Sequence, residues 1–175
     1  MQKRIAFVFG LIFTLTFFGG CQRGPRPSAA ASASCDLGAG KTVKTSYSSP
    51  RMKGRRIYGD LVQFGKVWRA GANEATTFVT SSGLLVGGKT VPAGSYTIFT
   101  VPAIDRWTLI INKKTGEWGI PYKYEGDELG RVEMKVSTLP APIENFTIGY
   151  DKSGSGCSLR MDWDTTRASV DITRK

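Results

Sequence analysis

The sequence predicts an all-β fold: an antiparallel β-sandwich in a single domain, with little or no helix beyond an amino-terminal signal segment. Three observations carry this expectation. From Thr42 onward, strand-forming runs recur about every eight to twelve residues, separated by Gly, Pro and Asp clusters. Several of the later runs alternate apolar and polar residues with the period of a half-buried strand. No window after the signal keeps the 3.6-residue apolar period of an amphipathic helix. A chain of 175 residues is long enough for one domain with a proper core and short for two.

Taken in order, "TVKTSYSSP" alternates and stops at Pro50, and "TTFVT" ends before Ser81-Ser82-Gly83. "LLVGGKTV" is two short runs around Gly87-Gly88, a two-residue hairpin signal. "GSYTIFTVP" and "RWTLIINK" are apolar on both faces, which places them centrally in a sheet covered on both sides. In "RVEMKV", Val132, Met134 and Val136 face inward and Arg131, Glu133 and Lys135 face water. In "ENFTIGY", Phe146, Ile148 and Tyr150 share one face. In "SLRMDWD", Leu159, Met161 and Trp163 point inward while Arg160, Asp162 and Asp164 point to solvent. "ASVDI" closes the chain with Val170 and Ile172 inside.

Composition narrows the chemistry. The chain has no histidine, so Ser-His-Asp triads, Cys-His dyads and histidine metal sites are excluded, and catalysis would fall to carboxylates, lysine, tyrosine or backbone donors. The formal charge is +10, which favours anionic partners such as phosphates, lipid headgroups or acidic polymers. No cofactor or metal motif is present. Asp162 and Asp164 are two ligands at most, too few for a calcium cage.

The first 21 residues read "MQKRIAFVFGLIFTLTFFGGC". Lys3 and Arg4 form a positive start, Ile5 to Phe18 is an uncharged apolar run short of the roughly 20 residues that span a bilayer, and small residues precede Cys21. This resembles a bacterial lipoprotein signal, which implies removal of residues 1–20, lipidation of Cys21 and an exported, periplasm-facing chain held to the membrane. Cleavage after Ala31-Ser32-Ala33, releasing a secreted protein, is the alternative. Residues 21–34, rich in Pro, Ala and Ser, are expected to form a flexible tether ahead of a domain at 35–175. Export makes a Cys35–Cys157 disulfide the natural pairing of the remaining cysteines, with two inert buried thiols as the other possibility.

The blocks "YSSPRMKGRRIYGDLVQFGKVWRAGANEATTFVT", "VGGKTVPAGSYTIFTVP", "WTLIINK" and "LRMDWDTTRASVDI" resemble the DUF2911 family of exported bacterial proteins, with "GKVWRAGANEAT" the most specific element. The resemblance runs from about Cys35 to the end. It implies a single β domain in secreted or lipoprotein form. The family has no assigned activity, so it supplies no catalytic residues.

Three stretches could carry function. In "WRAGANEAT", Arg69 offers a planar fork to a carboxylate or phosphate, Asn73 an amide and Glu74 an acceptor or base, with small residues between them. Equally, Arg69 can pair with Glu74 while Gly71 or Asn73 takes a left-handed turn and Trp68 plugs the core, an internal clip that needs no ligand. The run "SSPRMKGRRIYG" carries Arg51, Lys53, Arg55 and Arg56 with no acid among them, and reads either as a solvated face or as a surface for anionic headgroups or glycans. "GEWGIPYKYEGDE" groups Trp118, Tyr122 and Tyr124, rings that could stack on a sugar or fold back as a flap over the core. Its carboxylates Glu117, Glu125, Asp127 and Glu128 raise a glycosidase reading, which needs two carboxyl groups at a set separation. The leading expectation is a non-catalytic, membrane-tethered binding module for an anionic ligand or envelope component, with Arg69, Asn73, Glu74, Trp118 and Tyr122 as binding candidates and no nucleic-acid partner. The alternatives are a carboxylate hydrolase of envelope glycans, with Glu74 as its acid or base, and a purely structural envelope protein.

Overall fold

The computed structural model describes residues 27–175. The expected signal at residues 1–20, Cys21 and the first part of the tether lie outside the described residues. The strands are β1 (Ala29–Asp36), β2 (Thr42–Ser49), β3 (Thr76–Thr80), β4 (Leu84–Val86), β5 (Lys89–Val91), β6 (Gly94–Val101), β7 (Arg106–Asn112), β8 (Glu128–Ser153) and β9 (Gly156–Arg174). Among the described residues the single helical element is a 3-10 turn at Glu125–Asp127. The protein is all-β and antiparallel. Its strands form one open nine-stranded sheet in the order β1-β2-β3-β6-β7-β8-β9-β4-β5.

Alternation and turn chemistry explain most of these elements. Gly87 and Gly88 both take positive φ, which lets β4 and β5 close as a tight hairpin. β6 and β7 sit in mid-sheet as their apolar sequences require. One face joins the main core, and the other carries Phe99 and Ile110 under Val67, Tyr122 and Tyr124.

The two layers arise within the one sheet. Runs that read as separate strands, "RVEMKV" and "ENFTIGY", are the two halves of β8, and "SLRMDWD" and "ASVDI" are both within β9. Pro140 and Pro142 do not end β8. The β8–β9 register shifts between Thr138 and Ile143 and again between Ile143 and Thr147, so the strand bends at irregularities where a proline costs no ladder bond. The near half of β8 pairs with β7, and the far half swings over β1 and β2. There the Ile148 N–H donates to Tyr47 Oη at 2.9 Å, Ser49 Oγ donates to the Phe146 carbonyl at 2.6 Å, and Met52 N–H donates to the Glu144 carbonyl at 2.9 Å.

The fold-over closes on aromatic rings. Trp68 stacks on Trp163 with centroids 5.9 Å apart, and meets Phe146 at 4.8 Å and Trp107 at 6.3 Å, both edge-on. Rings of this size carry the largest burial terms in a core.

Two expectations change. Asp162, placed toward solvent by strict alternation, is 0% exposed. Its carboxylate takes Arg167 Nε and Nη2, both at 2.8 Å, and Arg160 Nη1. Residues 162 and 167 would sit on opposite faces of a regular strand; Asp164, at φ 52°, breaks the alternation between them and brings them together. Secondly, Ala29–Ser34, part of the stretch read as tether, is strand, paired with β2 from Ala29↔Ser49 onward. Backbone pairing needs no large side chain, and Ala31 and Ala33 are half-buried where their neighbours are exposed.

Cys35 of β1 and Cys157 of β9 form the disulfide, across 122 residues and with Cα atoms 6.7 Å apart. It ties the edge strand to the folded-over hairpin. Replacing both cysteines with alanine is expected to lower stability by roughly 4 kcal/mol. Urea unfolding of the oxidised chain against this variant checks it, and coincident curves would contradict it.

Candidate anion-binding cleft

The turn "WRAGANEAT" follows an isolated bridge in which Trp68 exchanges backbone hydrogen bonds with Thr100 of β6, at 2.7 and 2.8 Å. Ala70 and Asn73 take left-handed φ of 50° and 57°. The turn is held from within and from β2: Thr76 Oγ1 donates to the Ala70 carbonyl at 2.6 Å, and Ala72 N–H donates to the Ser48 carbonyl at 3.0 Å. A Cβ at Gly71 would stand 3.0 Å from that same Ser48 oxygen, so the chain can pass here only as glycine. Backbone bonds therefore fix this segment, with Trp68 inserted in the core.

The charged side chains of the turn have separate roles. Arg69 Nη1 donates to the Trp118 carbonyl at 3.2 Å, and its guanidinium lies 5.0 Å from the centre of the Trp118 ring, within cation–π range. Burial pulls the Arg69 pKa down, and the Glu74 carboxylate pushes it back up, so the two are electrostatically coupled. Glu74 itself is exposed. Asn73 Nδ2 donates to the Ser28 carbonyl at 3.4 Å and so holds the incoming amino-terminal segment.

Arg69 also borders a cleft of about 540 Å³. Trp68 and Trp163 line it, and around them stand Arg51, Lys53, Arg55 and Lys66. With Arg69 that makes five cations, and none of the described residues lining the cleft is acidic. The basic run and the "WRAGANEAT" turn, separate in sequence, thus border one cleft. Arg55 braces the run by donating to the Arg51 and Met52 carbonyls at 2.7 and 3.0 Å. Lys53 N–H is held by Glu144 at 3.0 Å. Cations gathered on a concave, partly apolar wall focus a positive potential. Sequence reading did not single out Lys66, whose only signal is its place two residues before Trp68.

The aromatic loop divides. Trp118, 56% exposed, stands beside Arg69, which itself lines the cleft. Tyr122 turns away: it packs on Phe99 at 4.8 Å, donates its hydroxyl to Glu128 at 2.7 Å and accepts from Asn112 at 3.2 Å. Tyr124 also lies over Phe99, at 6.1 Å. These two rings are the flap. Gly119 lets it close down, for a Cβ there would stand 2.8 Å from Ala75 Cβ and 3.0 Å from Phe99. Of the five binding candidates, Arg69 alone lines the cleft; Trp118 stacks against Arg69 from outside the lining, Asn73 holds the adjoining amino-terminal segment, and Glu74 and Tyr122 do not line the cleft. The loop's carboxylates do not line it either. Glu117 faces Lys114 and Tyr124, and Glu128 binds Arg131 through two bonds of 2.8 Å.

The Arg131 guanidinium, helped by the Tyr122 hydroxyl and opposed by burial, holds the Glu128 carboxyl below its usual range. A depressed folded-state value means that the clip's stability is fully present above the ordinary carboxylate pKa. It fades as pH falls through the lowered one. The stability difference between the wild-type chain and Glu128→Gln should therefore exist at neutral pH and shrink below about pH 4. Urea titrations at several pH values measure it; a difference that does not vary with pH would contradict the assignment.

No curated protein and no solved structure matches this chain. One family model does, that of a protein of unknown function, DUF2911, over residues 28–172. The match takes in every strand from β1 to β8, most of β9, and all of the described cleft except Pro27. The chain belongs to the DUF2911 family.

Proposed function

We propose that this protein is an exported module, lipid-anchored through Cys21, that uses its cationic cleft to hold an anionic ligand of the cell envelope without transforming it. The observation that carries the reading is the grouping of Arg51, Lys53, Arg55, Lys66 and Arg69 around a tryptophan-walled cleft with no acidic residue among its described lining. Five cations with no acid among the described lining raise one another's electrostatic energy, offset at Arg69 in part by Glu74, and an anion in their midst relieves it. The carboxylates a glycan hydrolase would need are engaged elsewhere: Glu128 is clamped by Arg131 and Tyr122, and Glu74 acts on Arg69 from outside the cleft lining. The lipid anchor is supported by the apolar run ending in Gly19-Gly20-Cys21 and by the pairing of the other two cysteines with each other.

Inorganic phosphate is expected to raise the melting temperature of the purified chain by mass action. The Arg51→Gln/Lys53→Gln/Lys66→Gln variant, whose three side chains are exposed, should melt like the wild type without phosphate and gain nothing from it. A wild-type chain that phosphate and sulfated glycans leave unshifted would remove the binding reading. Incorporation of labelled fatty acid, lost in Cys21→Ala, tests the anchor separately, and an unlabelled wild-type protein would remove it.

A further inference from the structure

We infer that the cleft faces the membrane surface, and that the anions it takes are the phosphates of phospholipid headgroups. The inference rests on the proposed lipidation of Cys21 and on the reading of the cleft as an anion site. Three observations converge on it.

The first is the path of the chain. Pro27 and Ser28 line the cleft, and Asn73 holds the Ser28 carbonyl, so the amino-terminal segment reaches the domain at the cleft's edge. From Cys21 to Pro27 there are six peptide steps, which reach at most about 20 Å when fully extended. A domain of this size has a radius of gyration of about 15 Å, so such a leash is shorter than the domain is broad. An anchor at Cys21 therefore sets the cleft end of the domain toward the bilayer.

The second is the apolar rim. Leu61 and Ile120, 46% and 40% exposed, line the cleft alongside its cations, and the exposed Trp118 ring stands against Arg69. Phe64, on the same loop as Leu61, is 41% exposed and borders a smaller neighbouring cleft together with Ile104, which is 82% exposed. Of the large apolar side chains exposed among the described residues, only Val79 lies away from these two clefts and from Arg69. A closed site for a small soluble anion has no use for this arrangement. At a bilayer interface, apolar side chains enter the headgroup layer while lysine and arginine stay at phosphate depth.

The third is charge. Polybasic surfaces gain about a fivefold in partition to anionic membranes for each Lys or Arg near the surface. With the chain already held at the membrane by its acylated Cys21, this attraction acts on the orientation of the domain and turns the basic face toward the headgroups.

The test mixes the processed full-length chain with vesicles of phosphatidylcholine, or of phosphatidylcholine with phosphatidylglycerol, both carrying brominated acyl chains that quench nearby tryptophan. We expect quenching in the phosphatidylglycerol vesicles that salt weakens, that Trp118→Phe largely removes, and in which each of Arg51→Gln, Lys53→Gln and Lys66→Gln lowers the ratio of docked to undocked domain about fivefold. Quenching that is equal in both vesicle types overturns headgroup recognition. A chain that phosphate stabilises in solution but that stays unquenched on phosphatidylglycerol overturns the membrane-facing cleft and leaves the anion site standing. Loss of both signals removes the anion site as well. A chain without acyl groups that quenches on neither vesicle overturns the inference through its anchor, and the phosphate response then decides the cleft alone.

Discussion

The fold-over of the β8–β9 hairpin onto β1 and β2 is the constraint on which the rest of the molecule depends. An open nine-stranded sheet alone would leave one apolar face of its long strands in water. Bending at the irregular stretch between Thr138 and Thr147 buries that face against the first strands, and the Trp68, Trp107, Phe146 and Trp163 rings fill the space enclosed. The disulfide between Cys35 and Cys157 ties the same two regions covalently. The buried Asp162, clamped by Arg160 and Arg167, sits at the corner where β9 departs from regular alternation. Removing one charge of such a buried group leaves the others uncompensated, so this corner is specified as well as packed.

The cleft is a consequence of that closure. Trp163 belongs to the folded-over hairpin, Arg51 and Lys53 to the segment after β2, and Lys66 and Arg69 to the loop leading into β3. The Met52 and Lys53 backbone is bonded to Glu144, so the basic run is positioned by the far half of β8. The "WRAGANEAT" turn serves two ends at once. Its backbone and Trp68 are architecture, while Arg69 projects to the cleft. Architecture and the proposed site thus share the segment, the first through its backbone and Trp68, the second through Arg69.

The secondary structure was highly legible in the residues because period-two burial and Gly-Gly turns are local properties. Val132, Met134, Phe146, Ile148, Leu159, Met161, Val170 and Ile172 are all buried as their alternation requires. The errors share a cause. Asp162 keeps its place in the alternation and is buried because the positive φ at Asp164 inverts the faces downstream and brings Arg167 over it, and φ cannot be read from an aspartate. Ala29–Ser34 looked like a leash because pairing at a sheet edge is made by backbone groups that every sequence carries. Tyr122 was grouped with Trp118 by proximity in sequence, yet Gly119 lies between them and the two rings serve opposite ends of the loop.

By itself the sequence determined the all-antiparallel character, the central place of β6 and β7, the exclusion of histidine chemistry and the resemblance to a family. Each of these follows from composition or from patterns spanning a few residues. Only the tertiary structure decided that the strands make one sheet folded on itself, that Asp162 is buried, and that Arg51, Lys53, Lys66 and Arg69 surround one cleft. Those outcomes depend on where a long strand bends and which distant backbone groups it then meets. No local pattern encodes that distance.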